Sequence, residues 1–335
     1  MKSLAILGVL LIHASAGIVS ELPPGSPSWR SALFWNAISR PAVPLFLMAS
    51  GTLLLPPERE LTLKKLYTRN LPRLLTALFF WAALYKLVFL VRMDSLTPPD
   101  LKAAAKNLLL FRHEEHLYYL HIMLLVYAFL PVTRLIARNG TRRSLEYALG
   151  LWFALGILYP SVRGLRPFAL LAGIPVQWRL NLTYSSIGYT LLGHYLTAWR
   201  PRPRRSLCLL ALLSGFSLTF GGTWAASRAA GALEEGFLEG TGVGVCLEAL
   251  GVFGLCQGAR LPEGLERGAA WLSRASFCVF LTHIFFLQSF ARHGLRAGAG
   301  PVLVAVPLVA LLVLACGCGA YALLSRTPVA RRWLV

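Results

Sequence analysis

Long apolar runs separated by short polar segments occupy almost the whole chain. Most of them reach the roughly 17–25 residues that a membrane-spanning helix needs. None alternates apolar and polar residues with period two, so the pattern does not indicate a membrane β-barrel. The runs cover residues 3–20, 32–55, 71–91, 117–137, 145–159, 180–198, 206–227, 237–257, 270–290 and 301–325. The pattern therefore predicts an all-α polytopic integral membrane protein with about ten transmembrane helices. No internal repeat or soluble segment stands out, so residues 1–335 are predicted to form a single membrane-embedded domain.

The composition supports this class and excludes others. Of the 335 residues, 56% are hydrophobic and 14% are charged, and the mean hydropathy is +0.60. Soluble domains carry about 25% charged residues, so this chain is not expected to be a soluble enzyme, a disordered protein or a disulfide scaffold. No metal site is predicted, because the cysteines all lie in apolar runs without metal-ligand spacing: Cys208, Cys246, Cys256, Cys278, Cys316 and Cys318.

The distribution of basic residues predicts the orientation in the membrane. The net charge is +19, from 33 Lys and Arg against 14 Asp and Glu. Twenty of the basic residues fall in one set of alternate loops, which includes 56–72 and 199–205, and 11 fall in the other set. By the positive-inside rule, both termini are predicted to be cytoplasmic. Basic loops then contact membrane lipid, and nucleic-acid binding is not expected.

The first apolar run also permits a second interpretation. Lys2, the run from Leu4 to Ile12 and the small residues Ala14-Ser15-Ala16 resemble a signal peptide with its cleavage site. Cleavage there would remove His13. Retention as the first transmembrane helix is the other interpretation.

A few ionisable residues fall inside the apolar runs. Such residues are costly in a membrane and usually face a cavity or a partner. Histidine predominates, which indicates either acid–base chemistry near neutral pH or a polar packing network. The residues are His13, Arg40, Lys86, His121, His194, Glu248 and His283.

Lys2 and His13 are predicted to lie on one face of the first helix. Eleven residue steps amount to about three turns and about 16 Å of rise. A cation at the cytoplasmic rim then lies below an imidazole deep in the membrane, on nearly the same face. This arrangement suits a long ligand with an anionic head and a reactive end inside.

The second run and the loop after it carry further candidates. The segment Arg40–Gly51 contains Pro41 and Pro44, which break a helix and free backbone carbonyls. We interpret it as a cavity lining that includes Ser50, with a kinked packing helix as the alternative. The following loop carries Lys64, Lys65, Arg69 and Arg73, which suit phosphate binding or serve orientation alone.

These residues resemble acyltransferase family 3, the membrane acyltransferases that modify bacterial surface glycans. That family has an Arg followed after ten residues by a His, and Lys2 and His13 match this spacing with Lys in place of Arg. The length and the segment Arg40–Gly51 resemble the short branch that includes the enterobacterial common antigen O-acetyltransferase. The other matching motifs, in chain order, are Val43-Pro44 with Phe46 and Ser50-Gly51, Arg69-Asn70-Leu71-Pro72, Leu117-Tyr118-Tyr119-Leu120, Gly193-His194-Tyr195-Leu196, and Ser276 through His283.

The resemblance implies O-acyl transfer in the bacterial cytoplasmic (inner) membrane. The donor is a cytosolic acyl-CoA, with acetyl-CoA the first candidate, used as a co-substrate with no permanently bound cofactor. The acceptor is a hydroxyl of a cell-surface glycan or lipid-linked sugar. The resemblance also favours retention of the first helix, since His13 belongs to it.

The resemblance also implies residue roles. His13 is the general base or acyl carrier, Arg40 stabilises the oxyanion, and Ser50 is a further catalytic candidate. Secondary candidates are His121, His194, Glu248 and His283, and the donor-binding candidates are Lys2, Lys65, Arg69 and Arg73. Two other classes remain open: a transporter or flippase for a lipid-linked sugar, and a non-catalytic membrane subunit.

Overall fold

The fold is entirely helical in the part of the chain that the structure describes. A computed structural model describes residues 1–165, 168–171, 173, 178–199 and 203–335. The protein is 81% helical, and no strand occurs among the described residues. The α-helices are α1 (Lys2–Glu21), α2 (Pro27–Ser39), α3 (Ala42–Leu54), α4 (Leu63–Lys65), α5 (Leu71–Arg92), α6 (Pro98–Leu109), α7 (Tyr118–Asn139), α8 (Arg142–Phe153), α9 (Tyr159–Val162), α10 (Leu182–Trp199), α11 (Arg205–Ala230), α12 (Val243–Gly258), α13 (Glu263–Arg292), α14 (Val302–Leu324) and α15 (Pro328–Trp333).

Nine helical segments of the described chain are long and apolar enough to cross a membrane. This confirms the predicted all-α polytopic membrane protein. The short predicted run 145–159 belongs to a longer segment, Arg142–Val162. The predicted run 180–198 forms α10, which is not among the nine because polar side chains interrupt its apolar sequence. The tenth crossing and the cytoplasmic termini stay predictions, and residues 200–202 of the predicted basic loop lie outside the described residues.

Helix α1 packs against several neighbours at once. It contacts α2, α3, α13 and α14. The side chains of Ile6 and Leu10 are completely buried. The indole nitrogen of Trp29 on α2 donates a 2.9 Å hydrogen bond to the carbonyl of Val19 and ties α2 to the C-terminal part of α1. Helix α1, which carries both Lys2 and His13, is thereby held between four other helices.

The predicted break in the second apolar run occurs at Arg40 and Pro41. Helix α2 ends at Ser39, and α3 begins at Ala42. Proline lacks the N–H that would continue α2, while Pro44 falls in the first turn of α3, where no N–H bond is needed. Two half-length helices therefore replace one continuous span, and Arg40 lies at their junction.

Helices α3 and α10 approach so closely that only glycine fits at their contact. A Cβ atom on Gly51 would lie 1.9 Å from the carbonyl oxygen of Thr190, and one on Gly193 would lie 2.2 Å from that of Met48. Both glycines come from motifs that sequence analysis singled out. Their role in the structure is backbone packing, which holds Ser50 beside α10 and fixes the wall of the site described below.

The surface and the interior show the distribution expected of a membrane bundle. Large apolar side chains are exposed along α11 and α14, among them Leu210, Leu213, Leu308 and Leu311. Polar side chains are buried between helices instead. Since the lipid-facing side of such a helix needs no polar group, the buried polar residues are the ones to examine for an internal site.

Candidate functional site

A cavity of about 470 Å³ opens among α1, α3, α5, α7 and α13. One part of its wall is cationic and the other is aromatic. The cationic side chains are Lys2, Arg59, Lys65, Arg69 and Arg73. The other part includes Phe46, Ser50, Tyr119, Tyr127, Ser276, Phe277 and Phe280. The structure thus brings together all four predicted donor-binding residues and adds Arg59.

The segment before α5 places two of these cations. The hydroxyl of Thr62 caps α4 by accepting a 3.2 Å hydrogen bond from the backbone N–H of Lys65. A π-helical turn, Leu66–Asn70, follows and leads into α5, and Leu66 is completely buried. Single π turns are rare in proteins, and many of those that occur lie at functional sites. With Leu66 anchored in the core, Lys65 and Arg69 line the cavity.

Arg59 reaches the cavity because its loop folds back onto the end of α3. Its Nη1 group donates a 2.5 Å hydrogen bond to the carbonyl of Leu53. Arg134 on α7 donates to the carbonyls of both Leu54 and Arg59. The sequence places Arg59 in the basic loop 56–72, and nothing in the sequence shows this fold-back.

Three imidazole rings meet beyond the aromatic part of the cavity. His13 on α1 and His283 on α13 have ring centroids 4.8 Å apart. His116, from the turn before α7, lies 5.6 Å from His283, and Tyr85 lies 4.6 Å from His116. We call His13, His116 and His283 the histidine group. It unites the predicted catalytic residue with one secondary candidate and one histidine that sequence analysis did not select.

The members of the histidine group differ in their hydrogen bonding. Nδ1 of His283 lies 2.5 Å from the carbonyl oxygen of Phe280, while its Nε2 is buried without a partner. Nε2 of His116 is likewise buried and unpaired. His13 is half-buried and makes no hydrogen bond to the described residues. Ring nitrogens are therefore available at this point for a substrate or for one another.

A row of aromatic rings connects the cavity to the histidine group. Ring centroids lie 5.7 Å apart for Phe46 and Tyr119, 5.4 Å apart for Tyr119 and Phe280, and 5.7 Å apart for Phe280 and His283. Ser276, Phe280 and His283 follow helical spacing on one face of α13. Phe280 therefore forms part of the cavity wall and contacts His283 with the same ring.

Arg40 is held next to α1 by a short polar chain. Its Nε and Nη2 groups donate to Oδ1 of Asn36 at 2.9 and 2.6 Å. Asn36 in turn donates a 3.0 Å hydrogen bond to the hydroxyl of Ser15, which lies two residues after His13. Arg40 is also within electrostatic range of His13 and of Glu248. A fixed positive charge therefore lies near the histidine group.

The remaining predicted residues are distributed more widely. Ser50 lines the cavity, and its hydroxyl donates a 2.8 Å hydrogen bond to the carbonyl of Phe46. His121 pairs with His113 at 3.1 Å between ring nitrogens, away from His13. His194 is buried on α10 and has no ring contact with the histidine group. Glu248 is completely buried on α12, and neither carboxylate oxygen has a hydrogen-bond partner among the described residues.

His116 is the main residue that sequence reasoning missed. It precedes the apolar run 117–137 by one position, so it was not counted among the intramembrane residues. Its position directly before the motif Leu117-Tyr118-Tyr119-Leu120 was the available signal. The structure buries it to 7% exposure, because the turn Glu115–Leu117 leads the chain into the bundle before α7 begins. Within the described residues, no group of three His, Cys, Asp or Glu side chains is arranged to hold a metal ion.

The fold and the site define a class of protein. It is a multi-pass helical membrane protein in which a group of imidazole rings lies behind a cavity lined by cationic side chains. Comparison with known families makes this more specific: the model of acyltransferase family 3, described as an acyltransferase domain, matches residues 1–322. The chain therefore belongs to acyltransferase family 3 and is a membrane acyltransferase. No curated protein and no solved structure matched the chain.

Proposed function

We propose that this protein is an O-acyltransferase that moves an acyl group, with acetyl as the first candidate, from acyl-CoA to a sugar hydroxyl. The acceptor class is a cell-surface glycan or lipid-linked sugar, and the proposed location is the bacterial inner membrane. The observation that carries the proposal is the continuity of the site. A cavity with five cationic side chains ends at Phe280, whose ring contacts the histidine group.

The cationic part of the cavity suits the nucleotide end of the donor. A CoA molecule carries several phosphate charges, and clustered Lys and Arg side chains form strong charge-assisted hydrogen bonds with phosphate oxygens. Lys2 comes from α1, whereas Arg59 and Arg69 come from the segment between α3 and α5, so two segments that are distant in the sequence converge on the cavity. The narrow pantetheine arm would then pass the aromatic rings and carry the thioester toward His13.

The proposed chemistry uses His13 as the general base. The acceptor oxygen attacks the thioester carbonyl carbon while His13 takes the hydroxyl proton. Arg40 stabilises the negative charge on the carbonyl oxygen of the tetrahedral intermediate. The carbon–sulfur bond then breaks, the proton on His13 passes to the thiolate sulfur, and the products are the acyl ester and free CoA thiol.

The hydrogen bonds around Arg40 support its proposed role. Asn36 occupies Nε and Nη2, so the guanidinium is already oriented before any substrate arrives. A preorganised cation needs no rearrangement when charge develops, which is the main advantage of electrostatic catalysis. Nη1 makes no hydrogen bond to the described residues and is available to an oxyanion.

Turnover of labelled acetyl-CoA by the purified protein in lipid nanodiscs tests the proposal. We expect release of CoA thiol that depends on added lipid-linked sugar and appearance of label on that lipid. A transporter or flippase would move its substrate and leave the thioester intact. Mass spectrometry of surface glycans from cells with and without the gene identifies the acceptor through the loss of an acetyl mass.

A further inference from the structure

The hydrogen bonding of His283 fixes its tautomer. Nδ1 lies 2.5 Å from the backbone carbonyl oxygen of Phe280. A carbonyl oxygen accepts hydrogen bonds and donates none, so Nδ1 must carry the hydrogen. A neutral imidazole has only one N–H group, and Nε2 of His283 is therefore a bare acceptor. This acceptor is completely buried and has no partner among the described residues.

The ring of His13 lies within reach of that acceptor. Its centroid is 4.8 Å from the centroid of His283. The hydrogen-bonded pair His113 and His121 of this same protein gives a scale: its ring nitrogens are 3.1 Å apart while its centroids are 5.1 Å apart. The rings of His13 and His283 are closer than those of the bonded pair. This separation is compatible with an N–H···N hydrogen bond once the ring of His13 is rotated into line with Nε2 of His283.

Of the two other rings in the histidine group, that of His13 lies closer to His283, at 4.8 Å against 5.6 Å for His116. Phe280 contributes an aromatic ring on one side at 5.7 Å, and His116 lies edge-on at 5.6 Å. Behind it, the hydroxyl of Tyr85 donates to the carbonyl of Leu281 at 2.9 Å and accepts from the N–H of Phe285 at 3.3 Å. Tyr85 thus holds the turn of α13 that carries His283. A rigidly held acceptor is what an orienting residue requires.

We propose that His283 is a positioning residue for His13: its bare Nε2 accepts the N–H of His13 and thereby selects the tautomer that presents the other ring nitrogen to the acceptor hydroxyl. This rests on the proposed function, in which His13 is the general base. An unpaired buried acceptor is destabilising, and the hydrogen bond to His13 also satisfies this group, which is otherwise unpaired. When His13 takes up the hydroxyl proton, the same bond becomes charge-assisted and strengthens.

Two substitutions at residue 283 separate this role from a structural one. The amide of asparagine reaches the position of Nδ1, so His283→Asn keeps the donor to Phe280 and removes the acceptor for His13. The amide of glutamine reaches the position of Nε2, so His283→Gln keeps the acceptor and removes the donor to Phe280. The two variants therefore each retain one of the two functions of the ring.

The test measures CoA thiol release from acetyl-CoA by membrane vesicles of a host that lacks its own copy of the gene. Each variant is present at matched amount. We expect His283→Asn to lower kcat at least about tenfold at an unchanged KM for acetyl-CoA, and His283→Gln to retain more activity than His283→Asn. The opposite order, or equal losses accompanied by lower thermal unfolding midpoints, would overturn the proposal.

A spectroscopic measurement provides a readout besides activity. Solid-state ¹⁵N NMR of histidine-labelled protein distinguishes ring nitrogens with and without a hydrogen, and the His13→Ala variant identifies the signals of His13. We expect one fixed tautomer of His13 in the wild type and a mixture in His283→Asn, whereas an unchanged spectrum would contradict the proposal. If His13→Ala kept full turnover, the proposed function of His13 would fail instead, which distinguishes the two failures.

Discussion

The imidazole rings of His13 and His283 lie 4.8 Å apart, with their planes inclined by 54°, although the two residues come from opposite ends of the chain. Helices α1 and α13 pack against each other and hold this pair at the point where the aromatic row leaves the cavity. The pair therefore joins the early histidine motif to the late one in a single site.

His13 is predicted to be essential to the chemistry and dispensable for the fold. General base catalysis is typically worth about 10²–10⁴ in rate, so His13→Ala should lose at least about two orders of magnitude in kcat. Its binding of acetyl-CoA should persist, because the cationic side chains of the cavity are unchanged. Turnover per folded molecule and calorimetric donor binding measure the two effects separately. A folded variant with nearly normal kcat would contradict the mechanism.

The cations of the cavity are predicted to act on donor binding. Lys2→Ala, Arg59→Ala and Arg69→Ala should each raise the KM for acetyl-CoA about ten- to hundredfold, since a hydrogen bond to a charged group is worth about 1.5–3 kcal/mol. Their effect on kcat should be small, because a phosphate contact is the same in the ground and transition states. Lys2→Arg should be tolerated through a forked contact with phosphate.

Arg143→Ala is the matched control for these variants. Arg143 is an exposed cation of the same predicted cytoplasmic set and does not line the cavity. Its removal should leave the KM unchanged. A comparable increase in KM for this variant would show that overall surface charge, and not the cavity, attracts the donor.

Periodicity could predict what lies on one helix but not what meets between helices. The alignment of Lys2 with the face of His13 follows from the helical repeat, and Lys2 does line the cavity below the aromatic row. The break between α2 and α3 at Arg40 could also be predicted, because Pro41 lacks the N–H that would continue α2. The meeting of His13 with His116 and His283 depends on the packing of α1, α13 and the turn before α7, which no spacing in the sequence encodes.

The same limit explains the residues whose roles changed. The sequence predicts a cavity lining that ends at Gly51, whereas in the structure the close approach of Gly51 to the Thr190 carbonyl packs α3 against α10. The sequence shows Arg59 only as a loop charge, and its approach to the cavity depends on contacts with Leu53 and Arg134. Local sequence shows a residue's type and helix face, while its neighbours are set by distant segments.

Gly51→Ala is predicted to destabilise the protein strongly. The new Cβ would lie 1.9 Å from the backbone oxygen of Thr190, and a backbone atom cannot move aside without shifting α10. Overpacking of this kind costs about 3 kcal/mol. The thermal unfolding midpoint in detergent measures the effect. Gly221→Ala is the control, since no atom lies within 4 Å of its added Cβ and α11 should become slightly more stable.

The predicted orientation makes the cavity entrance accessible from the cytoplasm. In a background without the six native cysteines, a cysteine at exposed Glu60 should resist an impermeant thiol reagent added to intact cells. A cysteine at exposed Ala232, in the loop between α11 and α12, should react rapidly. Rapid labelling at position 60 and protection at position 232 would reverse the orientation and remove the proposed route of acyl-CoA entry.

Arg40 is predicted to stabilise charge in the transition state and to depend on Asn36 for its orientation. Loss of one oxyanion-stabilising donor typically costs about 10²–10³ in kcat, so Arg40→Ala should lose that much at an unchanged KM for acetyl-CoA. Asn36→Ala keeps the guanidinium but removes the acceptor at 2.9 and 2.6 Å that holds it. It should therefore show a smaller loss of kcat, about tenfold. The double variant should be no slower than Arg40→Ala alone, because Asn36 acts through Arg40. If the losses of the two single variants instead multiplied, Asn36 would act on the site independently, through its hydrogen bond to Ser15 next to His13.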